Sequence, residues 1–162
     1  MEVVKHTFKP IYDKHSKVLI LGTMPSPKSR ENGFYYGHPQ NRFWPTLTEV
    51  FGEDLPLTNE EKIAFLTRHH LALWDGLKSC EIEGASDSSI KNPVPNDLNT
   101  VIDQSSVTAI FTTGKKAAEL YMKLCYPHTN IPCIVLPSPS PANHRIKDEQ
   151  LKEEYSKILK YT

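Results

Sequence analysis

Four short apolar segments recur along the sequence and restrict what the chain can fold into. They occupy residues 18–22, 71–74, 107–111 and 131–136. Their length and their β-branched residues predict buried strands. Helical patterns lie between and after them, at residues 42–52, 58–70, 115–126 and 146–161. This alternation predicts an α/β fold: a three-layer α/β/α sandwich with a central, mostly parallel four-stranded sheet, in a single domain over residues 1–162.

The charge and cysteine content exclude several classes of protein. Nineteen basic and nineteen acidic side chains cancel, so any nucleic-acid site must be local rather than spread over the surface. No apolar run approaches the roughly 18 residues of a membrane span, and residues 1–16 do not resemble a secretory signal. Cys80, Cys125 and Cys133 form no CxxC pair. We therefore expect a monomeric protein of the cytoplasm, or of the nucleus in a eukaryote, without metal or other cofactor.

The loops after the four predicted strands are rich in serine, lysine, glycine and proline. In an open parallel sheet, ligands bind beyond the carboxyl ends of the strands. The segment "NGFYYGHPQNRFWP" at residues 32–45 follows the first of these ends closely. Its glycines and prolines break a helix, and it is too aromatic for a simple connection. We therefore expect this segment to form part of a binding site at the mouth of the sheet.

Several side chains of this segment suit the binding of a planar base. Tyr36 offers a flat face for stacking, whereas Phe43 and Trp44 fit a local core better. Asn41 could hold a water molecule or donate to a leaving group, and it could equally cap the helix that follows. His38 is either a second polar group of the site or a partner for the backbone.

Other loops carry groups that suit a phosphate. The hydroxyls of Ser138 and Ser140 in "PSPSPAN" could contact a phosphate, although the same segment could simply form a stiff turn. The "TTGKKA" segment would bring the N-terminus of a helix next to cations. It lacks the spacing of a Walker loop. The basic residues near the predicted strand ends are Lys28, Arg30, Lys115 and Lys116.

Taken together, these segments resemble the uracil-DNA glycosylase superfamily over roughly residues 17–145. "GTMPSPKSRENGFYYGHPQNRFWP" is similar to its first active-site segment, especially to that of the mismatch-specific uracil/thymine branch. "LPSPSPAN" stands where the superfamily carries its second motif, and "IFTTGKKA" resembles its strand–Gly-Lys–helix element. "ALWDGLKSC" is similar to the strand whose terminal asparagine reads the base in the uracil enzymes.

The departures from the uracil enzymes indicate a particular branch of the superfamily. Met24 stands where they carry the Asn or Asp that activates water, and Leu136 replaces the catalytic residue of the second motif. Asp75 replaces the base-reading asparagine. This combination resembles the hypoxanthine-DNA glycosylases, which use an asparagine outside the usual position. In the matching segment that residue is Asn41.

The resemblance implies a monofunctional DNA glycosylase that flips hypoxanthine, the base of deoxyinosine, out of DNA and excises it. In this interpretation Asn41 is catalytic and Tyr36 stacks on the base. The remaining predicted base contacts are Thr23, Met24, His38 and Asp75. The predicted contacts to the DNA backbone are Lys28, Arg30, Lys115, Ser138, Ser140 and Asn143. The alternatives are a uracil or thymine mismatch glycosylase and a noncatalytic protein that binds damaged DNA or nucleotides.

The substitution at Asp75 favours hypoxanthine over adenine on chemical grounds. Hypoxanthine presents an N1–H donor, whereas adenine presents a bare N1 acceptor. An ionised carboxylate only accepts hydrogen bonds, so it attracts the first and repels the second. Uracil also carries an N–H donor and must be rejected by another feature of the site. The alternative is that Asp75 only forms a turn before Gly76.

Overall fold

A computed structural model describes the whole chain except Met1, Thr7 and Ala85. The strands belong to two sheets, one of which matches the predicted strands. In chain order the strands are β1 (Glu2–Lys5), β2 (Val18–Gly22), β3 (Leu71–Asp75), β4 (Leu77–Glu83), β5 (Ser86–Pro95), β6 (Ala109–Thr113) and β7 (Cys133–Leu136).

The helices connect these strands and begin close to the predicted positions. Thr58 caps the third helix, because its Oγ1 accepts a hydrogen bond from the Glu61 amide at 3.1 Å, as the capping-box pattern predicts. Within the described ranges, none of the helices has the length and apolar character that a membrane crossing requires. The helices are α1 (Pro27–Asn32), α2 (Phe43–Val50), α3 (Asn59–Arg68), α4 (Asn99–Ile102), α5 (Lys115–Leu124), α6 (Tyr126–Thr129), α7 (Asp148–Tyr155) and a 3-10 helix (Ser156–Tyr161).

The predicted four-stranded sheet is confirmed, and it is entirely parallel, in the order β3-β2-β6-β7. The third predicted strand was placed two residues too early. The amide of Thr108 bonds to Lys17 O, and the ladder starts only where Val18 faces Ala109. Val107 is apolar because it fills the core just before the strand, not because it belongs to the sheet.

The two faces of the parallel sheet are covered by different helices, as a three-layer sandwich requires. Val18 and Ile20 of β2 pack into the cluster that contains residues of α2, α3 and α7. Leu19 and Leu21 of the same strand pack into the cluster that contains residues of α4 and α5. The strand is therefore buried on both faces, which explains its continuous apolar sequence.

The second sheet was not predicted. It is antiparallel, in the order β1-β4-β5, with irregular register between β4 and β5. The β5 sequence "SDSSIKNPVP" is polar and contains two prolines, so it gives no strand pattern. The inner face of this sheet packs on Leu120 of α5 and on Met24. It thereby brings Ile82 and Gly84 to the edge of a cleft at the end of the parallel sheet.

Candidate active site

A cleft of about 300 Å³ lies at the carboxyl ends of the parallel strands. It lies where β2 has β3 on one side and β6 on the other, which is the place where ligands bind in such sheets. The predicted residues that line it are Thr23, Met24, Tyr36, His38, Asn41, Asp75, Ser138 and Ser140. The structure therefore brings together the first and second motifs and the end of β3. Lys28, Arg30, Lys115 and Asn143 lie outside its lining.

A buried carboxylate lies at the cleft, at the end of β3. Asp75 is 4% exposed, and its Oδ2 lies 2.7 Å from Nε2 of His6. A Cβ atom on Gly22 would lie only 2.6 Å from Asp75 Oδ1, so the carboxylate needs a glycine there. Within the described residues Oδ1 makes no hydrogen bond, although Asp75 lines the cleft. This oxygen is therefore the acceptor that remains for a ligand.

Tyr36 is held rigidly beside this carboxylate. Its backbone has a φ of 54°, a conformation that is costly for an aromatic residue. Its ring stacks on Phe43 with centroids 3.8 Å apart, and its hydroxyl lies 3.0 Å from Thr113 Oγ1. Burial, together with the negative charge of Asp75, raises the pKa of the Tyr36 hydroxyl, which therefore stays neutral. Because Phe43 covers one face of the ring, a base could stack only on the other.

The buried positions of Phe43 and Trp44 confirm the prediction that they belong to the core. They are 0% and 4% exposed, and the Trp44 indole donates to the backbone oxygen of Tyr35 at 3.0 Å. These contacts fix the start of α2 against Tyr35. The positions of Tyr36 and Asn41 at the cleft follow from this anchor.

Asn41 lies just before α2 and lines the cleft. Its Oδ1 accepts a hydrogen bond from the Phe43 amide, the first of α2, at 2.8 Å. The helix begins at Phe43 rather than at Arg42, so Arg42 and not Asn41 is its N-cap residue. In the described part of the chain the Nδ2 of Asn41 makes no hydrogen bond. The bond to Phe43 thus fixes the orientation of the amide. Nδ2 is the atom that remains available to donate to a bound group.

The ring of His38 is oriented by its own loop. Its Nδ1 lies 3.0 Å from the Gln40 amide and accepts that hydrogen bond. The neutral imidazole therefore carries its proton on Nε2. His38 bonds to the backbone, as one alternative from the sequence held, and it still lines the cleft.

The second motif forms a turn that holds two serine hydroxyls at the cleft. Ser138 Oγ accepts a hydrogen bond from the Ser140 amide, and Ser140 Oγ accepts one from the Ala142 amide, both at 3.2 Å. Each hydroxyl can still donate its own proton. The side chain of Asn143 instead donates to Ser138 O at 2.9 Å, so it supports the turn from within.

The predicted cations Lys28, Arg30 and Lys115 lie outside the lining of the cleft. Lys115 is exposed at the start of α5, next to Gly114, whose φ is 103° and whose added Cβ would lie 3.3 Å from Ser138 Cβ. Lys28 is exposed on α1 and pairs with Glu31 at 3.4 Å. Arg30 is partly buried on α1. Across the part of the chain that the structure describes, no three His, Cys, Asp or Glu side chains cluster as metal ligands would.

Arg42 connects the two motifs, and the sequence did not single it out. Its amide donates to Pro139 O at 3.1 Å. Its guanidinium donates to Ile146 O at 2.7 Å, to Asn143 O at 2.9 Å and to Asp148 Oδ1 at 3.1 Å. The only signal in the sequence was its place in "NRFWP". Arg42 therefore holds the serine turn against the segment that carries Asn41.

Replacing Arg42 by lysine is expected to destabilise this connection. A lysine cannot reproduce the planar fork that reaches two carbonyls and a carboxylate. We expect the free energy of unfolding to fall by about 1–3 kcal/mol, as for the loss of charged hydrogen bonds, in a denaturant titration. Arg68→Lys is the matched control, because Arg68, the last residue of α3, is 53% exposed and pairs with Glu53. Equal stability of the two variants would contradict the role given to Arg42.

Comparisons with known proteins agree with this geometry. The uracil DNA glycosylase superfamily matches residues 9–160. A protein of Methanosarcina barkeri named hypoxanthine DNA glycosylase is 35% identical over 117 residues, which are 71% of this chain and 74% of that protein. A protein of the same name from Methanosarcina acetivorans is 32% identical over 156 residues, 93% and 96% of the two chains. A solution NMR structure from Methanosarcina acetivorans, described as that of a candidate uracil DNA glycosylase, superposes with a TM-score of 0.80 at 29% identity, over 97% of this chain and 99% of that one. The chain belongs to the uracil DNA glycosylase superfamily.

Proposed function

We propose that this protein is a monofunctional DNA glycosylase that excises hypoxanthine from DNA in which adenine has been deaminated. The observation that carries the proposal is the buried carboxylate of Asp75, whose Oδ1 has no hydrogen-bond partner among the described residues although Asp75 lines the cleft. The two relatives named hypoxanthine DNA glycosylase, at 35% and 32% identity, support the same activity.

The carboxylate accounts for recognition of the base. Asp75 Oδ1 accepts a hydrogen bond from N1–H of hypoxanthine and repels the N1 lone pair of adenine. A site with a buried acceptor that finds no donor rejects the wrong base by several kcal/mol. Tyr36 stacks on the base with the ring face that Phe43 does not cover, and Thr23, Met24 and His38 complete the pocket.

The two positions that supply a catalytic group in the uracil enzymes hold no base in this chain. Met24 occupies the position of the water-activating residue of the uracil enzymes, and Leu136 is fully buried. Catalysis therefore relies on stabilising the departing base. As the bond between N9 and C1′ breaks, its electron pair moves onto the base and the sugar becomes oxocarbenium-like. Asn41 Nδ2 donates to the developing negative charge. Water then adds to C1′, and the proton that it loses neutralises the departed base.

The rim of the cleft holds the DNA while the base is flipped. The hydroxyls of Ser138 and Ser140 donate hydrogen bonds to phosphate oxygens, next to Lys115 at the N-terminus of α5. Lys28 and Arg30 extend this contact along the strand. Asn143 contributes by holding the serine turn.

Replacing both Ser138 and Ser140 by alanine is expected to weaken DNA binding more than the single-turnover rate at saturating enzyme. Phosphate contacts position the duplex and carry no base information, so affinity should fall equally for damaged and undamaged duplexes. Equilibrium binding and single-turnover kinetics separate the two effects. A large loss of the saturated rate with unchanged binding would count against the phosphate role.

The base range is tested with one set of duplexes that differ only at a central hypoxanthine, uracil, thymine or xanthine. The proposal expects hypoxanthine to be released fastest. Uracil is the competing substrate, because it also offers an N–H donor to Asp75. Faster release of uracil or thymine would instead support a mismatch glycosylase of the uracil and thymine class.

A further inference from the structure

His6 is the direct partner of Asp75, and the rest of the N-terminal segment fixes its ring. Its amide donates to Lys78 O at 2.7 Å, next to the pairing of β1 with β4. The ring packs edge-on against Phe8 and at a tilt against Tyr35, with centroids 5.9 Å apart in both pairs. The side chain is 2% exposed. The imidazole therefore has one position from which to meet the carboxylate.

The contact determines which oxygen of Asp75 faces a ligand. His6 Nε2 lies 2.7 Å from Oδ2, and the Asp75 side chain is 5% exposed. An ionised carboxylate has no proton, so in this contact Nε2–H donates. Oδ2 is then occupied, and Oδ1 remains as the acceptor at the cleft. Gly22 leaves the space that this orientation needs.

The same contact gives the buried carboxylate a donor in place of water. Burial disfavours a carboxylate unless donors compensate for the lost water. A carboxylate only accepts hydrogen bonds, whereas adenine presents an acceptor at N1. With Oδ2 bonded to His6, the oxygen that faces the cleft therefore suits N1–H of hypoxanthine and not an intact adenine.

We propose that His6 is a positioning residue that holds Oδ2 of Asp75, presents Oδ1 to the base as an acceptor and so sets the discrimination between hypoxanthine and adenine. The inference rests on the proposed function and extends it to a residue 69 positions away in the sequence. His6 does not touch the base. It acts through the carboxylate, as an orienting partner acts on a ligand or a catalytic group.

Two amide variants separate this role from simple packing. In His6→Gln the side-chain NH2 can reach the position of Nε2 and donate to Oδ2, whereas in His6→Asn the shorter side chain cannot. Both variants place an amide in the same cavity. The exposed His15 provides the control variant His15→Ala.

The readout is the ratio of single-turnover rates on hypoxanthine and adenine. Each base is placed opposite an abasic analogue, so neither is paired. We expect His6→Gln and His15→Ala to keep the ratio within about threefold of the wild type, and His6→Asn to lower it by about tenfold or more. Equal ratios in the Gln and Asn variants would overturn the proposal. Absence of any hypoxanthine release by the wild type would instead refute the proposed function.

A second measurement needs no variant and is independent of folding defects. In ¹⁵N-labelled wild-type protein, the imidazole spectrum reports which ring nitrogen of His6 carries a proton. The proposal expects a protonated Nε2 with a proton that exchanges slowly because the pair is buried. An unprotonated Nε2 would overturn it, because the carboxylate would then have no donor at Oδ2.

Discussion

Replacement of Asn41 by alanine is expected to lower the single-turnover rate of hypoxanthine release by about 100-fold or more, the usual loss for one hydrogen-bond group that stabilises a transition state. The amide is oriented by the bond between its Oδ1 and the Phe43 amide, and its Nδ2 remains available at the cleft. The rate is measured with enzyme in excess over a duplex that contains deoxyinosine. Product is quantified as free base.

The same variant also loses the hydrogen bond to the first amide of α2, and this effect has its own control. Removing this bond should cost only about 1 kcal/mol of stability, as the loss of an N-cap does. Thr58→Ala removes the cap of α3 and should show a similar loss in a denaturant titration with an unchanged rate. If Asn41→Ala is as active as Thr58→Ala, Asn41 only supports the start of α2. A gain of uracil release by Met24→Asn would then indicate that the catalytic residue belongs at position 24, where the uracil enzymes carry theirs.

Tyr36 separates capture of the base from chemistry. Tyr36→Ala is expected to weaken binding of the flipped base by roughly 1–3 kcal/mol, the contribution of one stacked aromatic ring. Asn41→Ala should leave that binding nearly unchanged. A loss of the saturated rate in Tyr36→Ala as large as that in Asn41→Ala would contradict this division.

Asp75→Asn is expected to reduce the rate of hypoxanthine release on the order of 100-fold, because the site loses the acceptor to which N1–H of hypoxanthine donates. The ratio of the release rates of hypoxanthine and adenine should fall as well. With His6 donating from Nε2, the amide oxygen takes the place of Oδ2. The amide NH2 then faces the cleft in place of Oδ1. A donor at this point repels N1–H of hypoxanthine and suits the N1 acceptor of adenine.

The experiment compares hypoxanthine and adenine in the same sequence context. Asp103→Asn is the control, because Asp103 is an exposed carboxylate at the end of α4. If Asp75→Asn keeps the full preference for hypoxanthine, Asp75 is only a turn residue before Gly76. The proposed recognition of the base would then be wrong.

The parallel sheet could be predicted because its strands are buried on both faces. β2 has the bounds predicted for it, Val18–Gly22, since every residue in it is apolar or glycine. The antiparallel sheet could not be predicted in this way. β4 interrupts its apolar positions with bulges, and β5 is polar, so their pairing depends on packing against α5. No local pattern reports such a contact.

The site shows the same limit. Asn41, Tyr36 and Asp75 could be singled out because each lies in a motif at or after the end of a strand. His6 lies in a segment with no motif, and only the fold brings its ring to Asp75. Arg42 was visible in the sequence next to Asn41, yet its bonds to carbonyls more than 100 residues later could not be foreseen.

The identity of the reaction products decides whether the protein is a monofunctional glycosylase. Wild-type protein in excess is incubated with a duplex that contains one deoxyinosine, and the products are separated and identified by mass spectrometry. We expect free hypoxanthine and an intact strand with one abasic site, which breaks only on later treatment with alkali. Tight binding of the duplex without release of free base would contradict it.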